Sequence, residues 1–297
     1  MVKQSAMELI NPKKINKITK LLICCLLVVS IFSQNEQSFA SDIFPQRKYE
    51  HKNIFKKKIA ETLSNWTIKT LETSGVKAAI VSRPGTKFVR CLDKTGMGHT
   101  GIVMKDPKFK EWMVYNLFSN PLKKHRFYEI RRTTVYDFFY SQPSLKLNAL
   151  LLIPSIDVQD NVIKEFVSGK NKELIKERKY NLISSSENFE SSNCTEWVVL
   201  NILAARENTY DPSKLIKIAS KEILVKPIKL NFLSRLILAF TPNAFKDELS
   251  NDNYIKTFMA YDLYNSNLLK RFFTETVSNQ KLCLLLRAIS KVCLYNS

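Results

Sequence analysis

The residues best placed for chemistry are a cysteine and a histidine about a hundred positions apart. Cys194 stands in Ser191-Ser192-Asn193-Cys194-Thr195-Glu196-Trp197. Ser and Asn are residues that cap a helix N-terminus by accepting a free backbone N–H. Trp197, Val198, Leu200, Ile202 and Leu203 follow, enough apolar residues to bury most faces of a helix. The spacing predicts a helix with Cys194 in or just before its first turn. There the helix dipole and the free N–H groups favour negative charge, so they lower a thiol pKa and can hold an oxyanion. A Cys so placed is a candidate nucleophile and needs a base within hydrogen-bond reach.

The chain has three histidines, His51, His99 and His125. His51 lies in a basic arm and His125 in a Lys/Arg run, both typical of solvated surface. His99 lies in Gly96–Met104, an apolar run bounded by glycines, and reads as a strand residue near the strand start. Trp112–Phe118 reads as the next strand, close enough for an antiparallel hairpin. That hairpin sets Tyr115 or Asn116 beside His99 as the group that orients the imidazole.

The flanking elements follow from the same patterning. Ile59–Thr73 has helical spacing and stops at Gly75. Val76–Val81 reads as a buried strand, and Ser82-Arg83-Pro84-Gly85 as a turn. Val135–Tyr140 reads as a short helix, Ala149–Ile153 as a strand, and Ile156–Val167 as a helix capped by Ser155. A polar loop, Asn181–Ser192, leads to the Cys194 helix, and Asp211-Pro212-Ser213 opens another.

Composition narrows the function classes. The 297 residues are 45% hydrophobic with 18 Phe, enough for a real core, and only six are Gly, against a collagen-like or Gly-rich repeat. Lys+Arg number 46 against 27 Asp+Glu, a formal charge of +19. Such a balance suits an anionic surface or polymer. The lysines are spread along the chain without interleaved aromatics, so no nucleic acid is expected. Scattered His and Cys do not give zinc-ligand spacing, no Gly-rich phosphate loop is present, and neither metal nor cofactor is expected.

The N-terminus reads as an export signal. Lys13, Lys14, Lys17 and Lys20 precede the apolar run Leu21–Phe32, and Ser38-Phe39-Ala40 offers a cleavage site after Ala40. The rival is an uncleaved anchor, but the run is shorter than the ~20 residues that span a bilayer. The domain plan is a signal peptide (1–40), a polar arm (41–58), a main domain (59–270) and a C-terminal helical tail (271–297), with no transmembrane span in the mature chain and a periplasmic or secreted location. Export exposes Cys91, Cys194, Cys283 and Cys293 to oxidation. A continuous helix between Cys283 and Cys293 would hold their Cα atoms roughly 15 Å apart, beyond the ~7 Å limit of a disulfide. Their pairing therefore needs a turn. A Cys91–Cys194 bond would make Cys194 structural.

Gly98-His99-Thr100-Gly101-Ile102-Val103 resembles the His strand of papain-like hydrolases of the NlpC-related, circularly permuted type, in which the His strand precedes the Cys helix. Asn193-Cys194-Thr195-Glu196-Trp197-Val198 resembles that Cys helix. The closer resemblance is to a bacterial exported family, the domain of unknown function 2145. Its landmarks match in order: Ser82-Arg83-Pro84-Gly85, Gly98-His99-Thr100-Gly101, Trp112, Pro154 with Gln159, Ser192-Asn193 ahead of Trp197, Leu233-Ser234-Arg235 and Pro242-Asn243-Ala244-Phe245. The third catalytic position of the papain-like relatives, commonly His, Asn, Gln or Glu, falls on Tyr115, with Asn116 next to it.

The resemblance implies an α+β, permuted papain-like (NlpC-like) fold, an antiparallel sheet packed against the Cys-bearing helix, with helical C-terminal additions. It implies a thiol-dependent hydrolase or acyltransferase acting on an amide or ester of the cell envelope, a peptidoglycan peptide or a lipid acyl group. Cys194 attacks, His99 serves as base and then acid, and Tyr115 or Asn116 orients the ring. The alternative is a catalytically inactive envelope protein of the same fold that binds an anionic partner.

Overall fold

Helix α1 (Ile54–Thr73) lays Ile59, Leu63, Thr67 and Leu71 along one buried stripe, the i, i+4 spacing that brings side chains to one helix face. The structure is a computed structural model that describes residues 54–85, 96–120, 128–143, 146–187, 189–232, 235, 238, 254–266 and 270–273. The expected signal peptide, His51, Cys91, His125, Cys283 and Cys293 lie outside the described residues. Helix α1 starts five residues before the expected main domain, so the end of the polar arm is helical. It gives way to a turn at Gly75, whose φ of 65° suits a residue without Cβ.

Strand β1 (Ala78–Pro84) runs through the stretch expected to turn. Ser82 and Arg83 stay paired, with Thr100 and His99 of β2 (Met97–Lys105), and Pro84 faces Met97 across a register shift. Proline is tolerated there because a bulge asks for no ladder N–H. Strand β3 (Trp112–Ser119) forms the expected antiparallel hairpin with β2. Asp106 closes that turn by accepting from the Lys108 and Phe109 N–H groups at 2.8 and 3.1 Å. Strand β4 (Tyr128–Thr134), with its charged YEIRRTT sequence, has no counterpart in the sequence reading. It is a half-buried edge strand, so it lacks a continuous apolar run.

Helix α2 (Val135–Tyr140) is capped by the Thr134 hydroxyl, which accepts from the Asp137 N–H at 3.0 Å. Strand β5 (Leu150–Ile153) and helix α3 (Ile156–Ser168) follow. Two residue pairs, β6 (Lys179–Tyr180) and β7 (Ser191–Ser192), join in parallel, the first just before the Asn181–Ser192 stretch read as loop and the second at its end. Helices α4 (Cys194–Glu207) and α5 (Pro212–Glu222), the pair β8 (Ile228–Lys229) and β9 (Tyr254–Ile255), and helix α6 (Ala260–Asn265) come next. Strand β10 (Lys270–Phe273) is the last described element. It corrects the start of the expected helical tail, because residues 270–273 pair with β5 as an edge strand. Residues 274–297 lie outside the described set.

The architecture is mixed α and β. One six-stranded sheet, in the order β10-β5-β1-β2-β3-β4, pairs antiparallel throughout. It is covered on both faces. Ile80, Ile102, Leu117, Leu150 and Leu152 share a core with Val162 of α3, Trp197 and Leu200 of α4, and Leu215 of α5. Ala79, Val81, Val103, Val114 and Leu151 pack on the other side with Ile59 and Leu63 of α1 and Phe138 and Phe139 of α2. Side chains alternate between faces along a strand, so the residue number decides which helices a sheet residue meets.

Candidate functional site

Asn193 ties two elements at the start of α4. Its Oδ1 accepts from the Glu196 N–H at 2.8 Å, and its Nδ2 donates to Thr257 Oγ1 at 2.7 Å. Cys194 is the first residue of the helix, as the sequence indicates. Glu196, fully buried, takes a hydrogen bond from Ser184 at 2.7 Å and pairs with Arg178, which also donates to the Ser191 carbonyl. This network binds the β6–β7 region to the first turn of α4. Thr195 fastens the same turn to the sheet, since its Oγ1 lies 3.1 Å from Thr100 Oγ1, which accepts from Ser82 Oγ at 3.1 Å.

That last contact fixes the faces. Thr100 points to α4, together with Ile102. His99, its neighbour in β2, points to the opposite face. Its ring centroid lies 4.7 Å from that of Phe118 and 5.7 Å from that of Phe138 in α2. Met97 belongs to the α4-side core although its number has the parity of His99. The register shift at Arg83–Pro84 accounts for this, because one extra residue reverses the alternation.

His99 Nε2 lies 3.0 Å from Asn116 Oδ1. Asn116 is oriented by its Nδ2, which donates to the Val114 and Arg131 carbonyls at 3.2 Å each. Oδ1 can only accept, so the proton of the neutral ring sits on Nε2. Burial pushes His99 down to about 3, the positive charge of Arg83 adds to the effect, and the Asn116 bond opposes it. Arg83 is 2% exposed and stacks over Phe138 at 5.3 Å.

Tyr115 does not orient the imidazole. Its ring meets Phe166 of α3 edge-on at 4.9 Å, and its hydroxyl donates to Asp106 Oδ2 at 2.7 Å. Burial, then the bond to the Asp106 carboxylate and its charge, pushes it up to about 12. Of the two orienting residues left open by the sequence, Asn116 makes the contact, because its parity in β3 matches that of His99 across the hairpin.

Cys194 is 3% exposed and forms no disulfide with a described residue. Burial pushes its thiol up. Hydrogen bonds from the Thr100 and Thr195 backbones and the Thr195 hydroxyl, with the charge of Arg83, pull the other way without prevailing. The helix start therefore does not give the lowered pKa expected of it, because it lies inside the core. Beside the thiol is a cavity of about 10 Å³, lined by Gly98, Leu182, Asn193, Cys194, Thr195, Phe258 and Met259. That is room for about one water molecule. Among the described residues no hydrogen bond joins Cys194 to His99.

Sequence reasoning missed Arg83, placed in a turn but buried beside His99, and the Thr100–Thr195 contact. A Thr on a strand two residues ahead of an apolar run carries no signal of its partner. Among the described residues no cluster of three or more His, Cys, Asp or Glu is placed to hold a metal ion. No described helix is long and apolar enough to cross a membrane.

Among solved structures, the chain is similar to the crystal structure of metalloprotein yiiX from Escherichia coli O157:H7, DUF1105. The TM-score is 0.42 and the identity 12%, covering 67% of this chain and 97% of that one. No curated protein matches the sequence. The family model DUF2145, described as an uncharacterized protein conserved in bacteria, matches residues 70–255, and the chain belongs to that family.

Proposed function

We propose that the chain is an exported envelope protein of permuted papain-like, NlpC-like build that lacks thiol chemistry and binds an anionic surface or polymer of the envelope. The observation that carries this reading is the placement of Thr100 toward Thr195 and of His99 toward Asn116 and Phe118. A thiol–imidazole couple needs hydrogen-bond reach, and here β2 stands between the two groups. A thiol pushed up by burial and an imidazole whose N–H is committed to Asn116 support the same conclusion. Leu182, Phe258 and Met259 seal the sulfur, and Phe258 is fully buried core. The formal charge of +19 supports an anionic partner, and the leader sequence supports export.

Salt-dependent co-sedimentation tests the binding half. The full chain is expected to pellet with vesicles rich in anionic phospholipid, or with an anionic wall polymer, at low salt and to be released at high salt. Failure to bind either at low salt overturns it.

A second reading keeps the hydrolase or acyltransferase acting on an envelope amide or ester. It is favoured by one observation: the Thr100 and Thr195 backbones bond to the Cys194 sulfur at a capped helix start, where donors would stabilise an oxyanion. A thiol-directed activity probe separates the readings. Labelling of Cys194 that disappears when His99 is replaced supports the enzyme, and absence of labelling supports the binder.

A further inference from the structure

The turn that joins β2 to β3, Asp106-Pro107-Lys108-Phe109-Lys110-Glu111, carries an aromatic ring into solvent: Phe109 is 46% exposed. A braced backbone holds it there. The Asp106 N–H donates to the Glu111 carbonyl at 2.7 Å, and the Asp106 carbonyl accepts from the Lys110 N–H at 2.8 Å. Asp106 Oδ1 accepts from the N–H groups of Lys108 and Phe109.

Cations gather on the ring. The guanidinium carbon of Arg132, on β4, stands 4.3 Å from the ring centre, and Lys108 Nζ stands 5.3 Å from it, both within cation–π reach. Arg132 is kept in place by Asp106 Oδ2, to which it donates at 3.1 Å. Lys105 and Lys110, at either side of the turn, are exposed. Against these cations stand the exposed Glu111 and Asp106, which is buried and shared between Tyr115 and Arg132.

Lys110 adds an independent sign. Its φ is 60°, the left-handed region that glycine enters without steric cost and lysine does not. A charge is kept at the tip although the backbone there is strained, and strain of this kind gathers at functional sites.

We propose that this turn docks the protein on an anionic phospholipid surface, Phe109 entering the boundary between headgroups and acyl chains while Lys108, Lys110 and Arg132 meet lipid phosphates. The assignment rests on the anionic-partner reading above, and it names the partner and the part of the chain that meets it. The ring decides between the two anionic partners. A polar wall polymer has no apolar layer to receive it, whereas a phospholipid leaflet sets an apolar layer directly beneath its charge. Phe109, with two cations within about 5 Å of its centre, matches that layering.

Co-sedimentation of the full chain with phosphatidylglycerol vesicles at low salt reads the affinity. Lys110→Gly removes one charge and suits the backbone, so binding should weaken about fivefold while the thermal midpoint does not fall. Phe109→Ser should weaken binding by at least about fivefold. In Phe109→Trp, the emission added to that of the wild type should be quenched by phosphatidylglycerol brominated on its acyl chains. Wild-type affinity retained in either of the first two variants, or unquenched added emission in the third, overturns the docking turn and leaves the anionic-partner reading standing. Binding of the wild type to an anionic wall polymer but not to the vesicles has the same consequence. Binding to neither overturns both.

Discussion

Thr100 Oγ1 and Thr195 Oγ1 meet at 3.1 Å, and this one contact decides the relation between the sheet and the cysteine helix. It brings the α4 start onto the face of β2 shared with Ile102, which leaves His99 on the face of α1 and α2. A double-mutant cycle with Thr100→Val and Thr195→Val measures it. The expected coupling is about 0.5–1.5 kcal/mol in urea unfolding. A coupling of zero would mean that the hydroxyls do not hold the helix in place.

Gly101 is required by close approach rather than by its backbone angle. A Cβ there would come within 2.7 Å of Val114 Cγ1 and 2.9 Å of the Tyr115 carbonyl oxygen. Gly101→Ala should destabilise the protein by about 1–3 kcal/mol, as overpacking does. Thermal unfolding of the variant checks this, and an unchanged midpoint would contradict the tight β2–β3 contact.

The buried pair Arg178–Glu196 is braced on both sides, Glu196 accepting from Ser184 at 2.7 Å and Arg178 donating to the Ser191 carbonyl. Removing one partner strands a charge in the core. Arg178→Met should cost about 3–5 kcal/mol, whereas the joint replacement Arg178→Met with Glu196→Leu should cost much less. Equal losses would show that the pair itself, rather than the stranded charge, sets the penalty.

His99 makes stability depend on acid. Its ordinary value is 6.5 and the folded value is about 3, so the unfolded chain takes up the proton first as pH falls. Stability is fully present above 6.5 and declines between 6.5 and 3. His99→Gln removes that slope. Unfolding curves from pH 7 to pH 4 should be steeper with pH for the wild type than for the variant. Parallel curves would contradict the buried, neutral imidazole.

The sequence reveals the chemical types and most of the elements. The Asn193 and Asp211 caps and the β2–β3 hairpin are local signals, set by capping and by turn chemistry, whereas Ser155 stands at the start of α3 without a side-chain cap bond. The face of each strand residue is not local. Strand β2 is MGHTGIVMK, buried on both sides, so its apolar pattern has no polar partner phase from which to read orientation. The register shift opposite Pro84 reverses parity just before His99, and nothing in Ser82-Arg83-Pro84-Gly85 announces it. Strand β4 escaped for the opposite reason: as an edge strand it carries Glu129, Arg131 and Arg132, which hide the strand signal. The Cys194 environment also depends on distant residues, since Phe258 and Met259 close over it from sixty positions away.

Site-resolved alkylation of Cys194 against pH is the most direct measurement. Iodoacetamide labelling of the native full chain, read by peptide mapping, should be slower at Cys194 than at a free thiol at every pH. It should rise only above the free value of about 8.5 and keep the same profile in His99→Gln. Rapid labelling near neutral pH, with a midpoint below about 8.5 that moves when His99 is replaced, would place the imidazole at the sulfur and contradict the separation of Cys194 and His99 by β2.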